Sequence, residues 1–384
     1  MTTAPRARGR NGRHHLIDIK SGGREKAILA GFRTRGTSAD ETDEAYVELA
    51  RLADTAGADA VAVVTQAETT PTPQFFVGRG KVDEIAAAVD EHEAEVVIFN
   101  HNLSPLQFKN LEEALEAKVV DRTQLILDIF AMRAASDEGK IQVELAQLTY
   151  MLPRITGKGL LLSRLGGGIG TRGPGETKLE ADRRRIRARI STLKKKLEKI
   201  ALHRSVQNRR RDRSGVRVVA LVGYTNAGKT TLFNRLSSES AFVEDKLFAT
   251  LDPLTRRVYL PGAGNILVID TVGFIKNLPV ELVESFKSTL EVARDAHLIL
   301  HVTDISNPTF EEQMFEVEKI LAELGAGDAP TMMVFNKTDA LDKPGRLDAM
   351  LKSNPGSIAV SALKNESIDN LKEEIARRLS EKTA

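Results

Sequence analysis

Residues 223–230 read GYTNAGKT, and their glycines, lysine and threonine stand at the spacing of a phosphate-binding loop. The segment fits the pattern G-x-x-x-x-G-K-[ST] and follows a mostly apolar run, 216–222, that predicts a buried strand. A glycine-rich turn between a strand and a helix can point its backbone N–H groups at phosphate oxygens, and the positive end of the helix adds to the attraction. We therefore expect Lys229 on the β- and γ-phosphates of a nucleotide and Thr230 on Mg²⁺.

Three more motifs follow in order, each after a predicted strand. Residues 270–273 read DTVG, in which the aspartate can hold Mg²⁺ through water and the glycine N–H can meet the γ-phosphate. Residues 336–339 read NKTD, and the carboxylate of Asp339 can accept hydrogen bonds from guanine N1–H and the 2-amino group, a pair of donors that adenine lacks. Residues 361–363 read SAL and resemble the loop that supports guanine O6 with a main-chain N–H. Together the motifs predict a GTP-binding P-loop domain.

The candidate site also includes a switch I segment between the P-loop helix and the next strand, where residues 248–253 read FATLDP. Thr250 is the candidate for the threonine that completes the Mg²⁺ ligands and reports the γ-phosphate, so the predicted ligands are Thr230, Thr250 and, through water, Asp270. The residues predicted to contact GTP are Gly223, Tyr224, Thr225, Asn226, Ala227, Gly228, Lys229, Thr230, Thr231, Phe248, Ala249, Thr250, Asp270, Thr271, Val272, Gly273, Asn336, Lys337, Thr338, Asp339, Ser361, Ala362 and Leu363. Those expected to act in catalysis are Lys229, Thr250, Gly273 and Asn226.

The composition is that of a soluble globular protein with room for two or three domains, since 384 residues are 41% hydrophobic and 28% charged. The chain has no cysteine, which excludes disulfides and thiolate metal sites and fits a reducing cytoplasm. No apolar run approaches the length of a membrane span, and the N-terminus lacks the apolar core of a signal peptide. We therefore expect a cytoplasmic protein without a membrane span.

An N-terminal α/β domain is predicted over residues 25–120, because apolar runs alternate there with helical patterns. The predicted strands are 27–32, 60–65, 96–99 and 119–120, and the predicted helices are 40–56, 82–92 and 105–116. This alternation is typical of βαβ units with a mostly parallel sheet. Residues 1–24, rich in arginine, histidine and glycine, are expected to form a disordered basic tail, with or without a partner. Residues 78–81 read GRGK, which we interpret as a turn and helix start rather than as a nucleotide contact.

Residues 121–212 change to long helical patterns that predict an antiparallel helical hairpin. One apolar stripe runs from Leu125 to Leu152 on a helix expected to end near Pro153, and a second runs from Leu179 to Ile200. The opposite face of the second helix is basic, with Arg183, Arg184, Arg185, Arg187, Arg189, Lys194, Lys195, Lys196 and Lys199. Such a run can be a solvated face, but the scarcity of interspersed carboxylates favours binding to a polyanion.

A long glycine-rich loop joins the two stripes, and residues 157–176 read GKGLLLSRLGGGIGTRGPGE. It is either a slack linker or a tip that folds onto a partner, and the Leu-Leu-Leu run favours the tip because a linker has no need of it. The residues predicted to contact RNA are Arg164, Gly166, Gly167, Gly168, Arg172, Arg183, Arg184 and Arg185. From residue 213 to 384 we expect the GTPase domain, with further helices at 281–293, 310–323 and 368–379 around a doubly wound sheet.

The order of these parts resembles the HflX family of translational GTPases. The resemblance rests on the hairpin sequence GKGLLLSRLGGGIGTRGPGETKLE and on the GTPase segments FATLDP and DTVGF, and it covers nearly the whole chain after the basic tail. It implies a GTPase that binds the large ribosomal subunit, reaches ribosomal RNA with its N-terminal part, and dissociates stalled or idle ribosomes. A large-subunit assembly GTPase, or an RNA-binding module in which the nucleotide is only a structural switch, are the alternatives. We expect the chain to act as a monomer.

The resemblance to other GTPases also bears on the hydrolytic step. Phe274 follows the D-x-x-G motif, where Ras-like GTPases place the glutamine that orients the attacking water. A phenyl ring cannot orient water, so intrinsic hydrolysis is expected to be slow and the ribosome to supply the missing order. Asn226 matches the position that coordinates K⁺ in potassium-stimulated GTPases, although it is equally interpreted as a turn residue with a local hydrogen bond.

Overall fold

A computed structural model of the chain describes residues 24–33, 39–67, 70–155, 178–213, 215–237, 247–248, 250–276, 282, 292–341 and 344–381. The predicted basic tail up to residue 23, the glycine-rich loop and most of the helix predicted over 281–293 lie outside the described residues. Arg24, the last residue of the predicted tail, is described and pairs with Asp54 and Asp59. Among the helices that the structure describes, none has the length and apolar character needed to cross a membrane.

The N-terminal part is built on a sheet of four parallel strands in the order β2-β1-β3-β4. The strands are β1 (Glu25–Phe32), β2 (Ala58–Gln66), β3 (Val96–Phe99) and β4 (Lys118–Asp121), and the connecting helices are α1 (Ala39–Thr55), α2 (Arg79–His92) and α3 (Pro105–Leu115). Parallel neighbours require crossover connections of helix length, which is why the apolar runs alternate with helical patterns. The predicted mixed α/β fold with a parallel sheet is confirmed.

Both faces of this sheet are covered, so successive residues of β1 enter different cores. Ile28 packs in a cluster with Ile85 of α2 and Leu111 of α3, on one face. Leu29 packs on the other face in a cluster that includes Leu49 of α1. All five side chains are fully buried. This double coverage explains why β1 reads as a continuous apolar run rather than as an alternating pattern.

The prediction of a single helix for the stripe from Leu125 to Leu152 is wrong. The segment forms two helices, α4 (Arg122–Arg133) and α5 (Asp137–Met151). Ala134 is extended at the end of α4, and the Ser136 side chain caps α5 by accepting a hydrogen bond from the Gly139 N–H at 2.9 Å. The apolar spacing continues across the break, so periodicity could not reveal it. The start signal was Ser136 followed by two acidic residues, which suits a helix N-terminus.

The helical hairpin is formed by α5 and a long helix, α6 (Lys178–Arg213). Arg189 makes two hydrogen bonds to the Glu144 carboxylate, at 2.6 and 2.7 Å, and Arg183 donates to the Ile155 carbonyl oxygen at 2.9 Å. Later residues of α6 therefore face earlier residues of α5, which confirms the antiparallel arrangement. Among the described side chains of α6, Leu193 is the one that is fully buried.

The C-terminal part is a six-stranded sheet in the order β10-β9-β8-β5-β7-β6. Its strands are β5 (Arg217–Gly223), β6 (Leu254–Leu260), β7 (Gly264–Asp270), β8 (Leu298–Asp304), β9 (Thr331–Asn336) and β10 (Ile358–Ala359), and β6 alone runs antiparallel to its neighbour. The described helices of more than one turn are α7 (Lys229–Ser237), α8 (Phe310–Glu323), α9 (Pro344–Ser353) and α10 (Ile368–Glu381). This is the expected P-loop GTPase fold. Sequence patterns did not predict β6, whose centre carries two arginines, or α9.

We predict that Leu193→Ala loosens the hairpin, because Leu193 is buried and a cavity at such a site costs about 2–5 kcal/mol of stability. Thermal unfolding followed through the helical signal measures the effect. Leu202→Ala is the matched control on the same helix, since Leu202 is 68% exposed and its removal should change the melting temperature little. Equal melting temperatures for the two variants would contradict the packing.

Candidate nucleotide-binding site

The P-loop leaves the end of β5 and enters α7 at Lys229. Gly228 has a φ of +87°, and a Cβ there would lie 2.3 Å from Nδ2 of Asn336, so a glycine is required both by conformation and by space. Asn336 Nδ2 donates to the Ala227 carbonyl oxygen at 2.9 Å. The phosphate loop and the N-K-x-D motif are therefore packed directly against each other.

Lys229 is a buried cation at the head of this loop, only 6% exposed. Its Nζ donates to the carbonyl oxygens of Gly223 and Tyr224, at 3.1 and 2.8 Å. Burial lowers the pKa of Lys229 to about 8, with Lys337 acting in the same direction and Asp270 against it. A buried ammonium that donates to neutral carbonyl oxygens is under-compensated, and an anion such as a phosphate would stabilise its charged form.

Three side chains with oxygen atoms lie close together near Lys229. They come from α7, the switch I segment and the end of β7. Thr230 Oγ1 lies 2.8 Å from Thr250 Oγ1 and donates to Asp270 Oδ2 at 2.7 Å, while Thr250 Oγ1 donates to the same oxygen at 3.3 Å. Asp270 is fully buried, its Oδ1 has no hydrogen-bond partner among the described residues, and burial raises its pKa. Hard oxygen atoms so arranged fit Mg²⁺.

This cluster contains a single carboxylate. In the part of the chain that the structure describes, no group of three or more His, Cys, Asp or Glu residues could hold a metal by itself. A Mg²⁺ ion here would therefore need nucleotide phosphates and water to complete its coordination, as in P-loop NTPases.

The segment after β7 is held against the P-loop through its backbone. Phe274 donates its N–H to the Gly223 carbonyl oxygen at 3.1 Å, and its own carbonyl oxygen accepts from the Thr225 N–H at 2.7 Å. The Phe274 ring is 1% exposed and belongs to the hydrophobic core, so it cannot touch a water at the γ-phosphate. Thr271 and Val272, which precede it, are also buried, and Thr271 Oγ1 donates to the Leu221 carbonyl oxygen at 2.7 Å.

The base-recognition motifs lie together at the ends of β9 and β10. Ser361 is fully buried, and its Oγ donates to Asp339 Oδ1 at 2.5 Å, which holds the carboxylate in place. Asn336 Oδ1 accepts from the Ala362 N–H at 3.0 Å. Lys337 has a φ of +61° and pairs with Asp304 at 2.7 Å. The two motifs predicted to read guanine are thus joined by their own hydrogen bonds.

The remaining predicted residues are less uniform in their placement. Asn226 has a φ of +59°, a conformation common for asparagine in turns, and its role as an ion ligand stays a prediction. Leu363 is 69% exposed, and Phe248 is buried against Phe130 of α4, with ring centroids 4.6 Å apart. Thr231 follows Thr230 on α7, and Thr338 begins a single 3₁₀ turn after β9. Ala249, Arg164, Gly166, Gly167, Gly168 and Arg172 lie outside the described residues.

A polar network that sequence reasoning missed links the P-loop to the N-terminal sheet. Tyr224 donates its hydroxyl to Glu48 of α1 at 2.5 Å and accepts the Lys276 N–H at 2.8 Å. Arg122 of α4 pairs with Glu48 and donates to the Lys276 carbonyl oxygen at 3.2 Å. Burial and the Glu48 carboxylate raise the pKa of Tyr224, so the hydroxyl stays protonated and able to donate. No local sequence pattern predicts contacts between residues so far apart in the chain.

A second unexpected contact joins the switch I segment to the hairpin. Asp252, two residues after Thr250, accepts hydrogen bonds from the Ala135 N–H at 3.1 Å and the Ser136 N–H at 2.8 Å, and also from the Ser136 hydroxyl. Its negative charge thus lies at the positive N-terminus of α5, which is a favourable placement. The only sequence signal was an aspartate close to the switch threonine, which does not identify its partner.

Known proteins are similar to this chain along nearly its whole length. Family models match in sequence: GTP-binding GTPase N-terminal at residues 43–131, GTP-binding GTPase middle region at 133–211, and 50S ribosome-binding GTPase at 218–337. The chain is 49% identical over 360 residues to GTPase HflX of Caldanaerobacter subterraneus subsp. tengcongensis, covering 94% of this chain and 82% of the relative. It is 44% identical over 370 residues to GTPase HflX of Escherichia coli strain K12, covering 96% and 86%. The crystal structure of SsGBP with GDP matches with a TM-score of 0.50 and 25% identity, covering 94% of this chain and all of that one.

We predict that Asp339→Asn moves nucleotide preference from guanine to xanthine, because the amide presents a donor where guanine also has one and leaves guanine donors unpaired. Loss of such a pairing is expected to weaken GDP binding by at least about tenfold. Titration with GDP and with xanthosine diphosphate measures the change. Asp348→Asn, an exposed carboxylate on α9, is the matched control and should keep GDP affinity. Unchanged GDP affinity in Asp339→Asn would refute the assignment.

Proposed function

The chain belongs to the HflX family of GTPases, enzymes that hydrolyse GTP, and we propose that it works on the ribosome: it binds the large subunit and dissociates stalled or idle ribosomes. The observation that carries the proposal is the exposed basic face of α6, because a helix so rich in arginine and lysine and so little buried has the properties of a polyanion-binding element. The family that matches residues 218–337, described as 50S ribosome-binding GTPase, supports the same partner.

In this proposal the nucleotide lies along the loop from β5 to α7. Lys229 and the loop N–H groups bind its phosphates, and Asp339 binds the guanine. Thr230, Thr250 and Asp270 hold Mg²⁺, which when bound neutralises charge on the β- and γ-phosphates. The Gly273 N–H meets the γ-phosphate, and Thr250 can respond to its presence because Thr250 already shares Asp270 with Thr230.

In this proposal the attacking water becomes oriented when the protein is bound to the ribosome. The ring of Phe274 is in the core, so the residue after the D-x-x-G motif contributes its backbone to the P-loop and no side chain to the water. We propose Asn226 as a ligand for K⁺, which would add positive charge near the transferred phosphoryl group. Slow intrinsic hydrolysis that large subunits accelerate is the expected behaviour.

The hairpin is the proposed RNA-binding part, and its arginines are not equivalent. Arg184 and Arg185 are exposed, and the Arg185 side chain is 81% accessible beside Asp182. Arg183 is half-buried and donates to the Ile155 carbonyl oxygen, so part of its guanidinium serves the hairpin itself. With 36 residues, α6 extends over roughly 54 Å and can carry a loop far from the GTPase domain.

In this proposal the switch I segment couples the state of the nucleotide to the position of the hairpin. Thr250 is expected to respond to the γ-phosphate, and Asp252 in the same segment accepts hydrogen bonds from Ala135 and Ser136, just before the first residue of α5. Loss of the γ-phosphate would release Thr250 and move Asp252 with it, since switch segments change order on hydrolysis. The start of α5 would then lose the hydrogen bonds that hold it against the GTPase domain.

We predict that the protein with a non-hydrolysable GTP analogue sediments with large subunits and converts idle 70S particles into separate subunits on a sucrose gradient. Purified large subunits should also raise the rate of GTP hydrolysis. Lys229→Ala is the control, because it lacks the buried ammonium and should neither bind nucleotide tightly nor split ribosomes. Binding and stimulated hydrolysis without splitting would favour an assembly role, and failure of large subunits to bind would overturn both roles.

We predict that ribosome affinity falls steeply with salt and that Arg184→Gln with Arg185→Gln makes the dependence shallower. Each phosphate contact contributes about 0.7 to 0.9 to the slope of log affinity against log salt, so the double variant should lose roughly 1 to 2. The measurement is large-subunit affinity over a series of salt concentrations. Lys319→Gln with Lys352→Gln, two exposed lysines of the GTPase domain, is the charge-matched control. Identical slopes for the arginine variant and the wild type would exclude these arginines from the interface.

A further inference from the structure

The loop after β10, which holds the S-A-L motif, is tied to the phosphate-binding helix by an arginine. Arg235 of α7 donates from Nε to the Ala362 carbonyl oxygen at 2.9 Å and from a terminal nitrogen to the Leu363 carbonyl oxygen at 2.9 Å. None of the nucleotide motifs includes Arg235, which precedes Ala362 by 127 positions. The guanidinium therefore joins the helix that begins at Lys229 to the loop predicted to support the guanine.

The loop is closed on itself by backbone hydrogen bonds. Ser361 and Glu366 exchange two of them, with N–H to carbonyl distances of 3.2 and 3.0 Å. Asn365 and Ser367 have φ values of +61° and +60°, a conformation that is uncommon outside glycine and that a tight loop can impose. These contacts fix the internal shape of the loop. They do not orient the peptide groups at its tip, where Ala362 and Leu363 lie.

Two peptide groups at the tip are oriented by side chains from outside the loop. The Ala362 N–H donates to Asn336 Oδ1 at 3.0 Å. The Ala362 carbonyl and the Leu363 N–H belong to the next peptide group, in which a trans bond points them in opposite directions. Because Arg235 holds that carbonyl, the Leu363 N–H is directed away from Arg235. Leu363 is 69% exposed, and its N–H has no hydrogen-bond partner among the described residues, so this donor is left for a ligand or for water.

We propose that Arg235 is a positioning residue for base recognition: it sets the Leu363 N–H to donate to guanine O6. The proposal rests on the assignment of O6 to the 361–363 loop, and it does not depend on the ribosome as partner. Adenine carries an amino group in place of O6, so a fixed N–H donor at this point favours guanine and disfavours adenine. Asp339 reads other atoms of the base, N1–H and the 2-amino group, so the two contacts contribute separately to specificity.

The helix α7 also relates the base end of the nucleotide to its phosphate end. Lys229 begins α7, and Arg235 lies about 9 Å further along the helix axis. The residue that binds the phosphates and the residue that holds the base loop are therefore parts of one rigid element. A planar guanidinium that donates to two successive carbonyl oxygens fixes the orientation of a peptide group, whereas a lysine ammonium would act as a single flexible donor.

The test is calorimetric titration of the full chain at neutral pH with GDP and with 6-thio-GDP. The analogue keeps N1–H and the 2-amino group but carries sulfur, a weak acceptor, in place of O6. We expect the wild type to prefer GDP about tenfold, which is the effect of one hydrogen bond. Arg235→Ala should lose most of this preference by binding GDP more weakly, with little change for 6-thio-GDP. Arg235→Lys, which keeps one donor, should lie between the wild type and Arg235→Ala.

Arg257→Ala is the matched control, because Arg257 is an exposed arginine on β6, at the opposite edge of the sheet from β10, and its loss should change neither affinity. Three results would overturn the proposal. Equal weakening of both ligands in Arg235→Ala would mean that the arginine supports the fold of the site and not the contact with O6. Unchanged GDP affinity in Arg235→Ala would exclude any role in binding. Absence of a preference for GDP in the wild type would remove the 361–363 loop from the recognition of O6. Because the two ligands are identical at the groups assigned to Asp339, an error in that assignment would not by itself produce any of these results.

Discussion

The packing of Phe248 against Phe130 joins the nucleotide site to the N-terminal half, and the positions of the other switch residues depend on it. Phe248 is 2% exposed and belongs to one hydrophobic cluster with residues of α1, α4, α5 and the P-loop strand. The segment that carries Thr250 is therefore anchored at one end by an aromatic contact and at the other by the Asp252 hydrogen bonds to α5. Thr250 lies between these two anchors and donates a hydrogen bond to Asp270.

The nucleotide site contains two buried charges, Lys229 and Asp270, that compensate each other only in part. Lys229 and Asp270 are both buried, and burial moves the pKa of each toward the neutral form. Burying charge without full pairing costs stability, so such an arrangement persists because the surrounding fold holds it and a ligand completes it. Phosphate is the complementary group for the lysine and a divalent cation is the complementary group for the aspartate, and both are parts of the ligand proposed above.

The hairpin differs from the nucleotide site in that its described charged side chains are mostly exposed. Among the described side chains of α6, Leu193 alone is fully buried, and polar contacts such as the Arg189 pair with Glu144 join the helix to α5. Exposed ion pairs contribute little stability, so most of the charge on α6 is not needed to hold the hairpin together. The fold thus separates two tasks. The buried charges at the P-loop are expected to bind one small ligand, whereas most exposed charges of α6 are expected to bind a partner, with Arg189 also pairing with Glu144 in the hairpin.

The sequence by itself determined the fold class and most of the strands of both sheets. The nucleotide motifs are contiguous, and each lies on a local strand and turn, so Lys229, Asp270 and Asp339 could be proposed as site residues from spacing alone. The parallel sheets followed from alternating apolar runs for the same reason. The break between α4 and α5 was missed because apolar spacing continues through it. The contact of Tyr224 with Glu48 joins residues 176 positions apart, and Asp252 reaches Ser136 across 116, so only the tertiary structure could decide them. Local patterns report which face of an element is buried, whereas the identity of the element that buries it depends on how the whole chain packs.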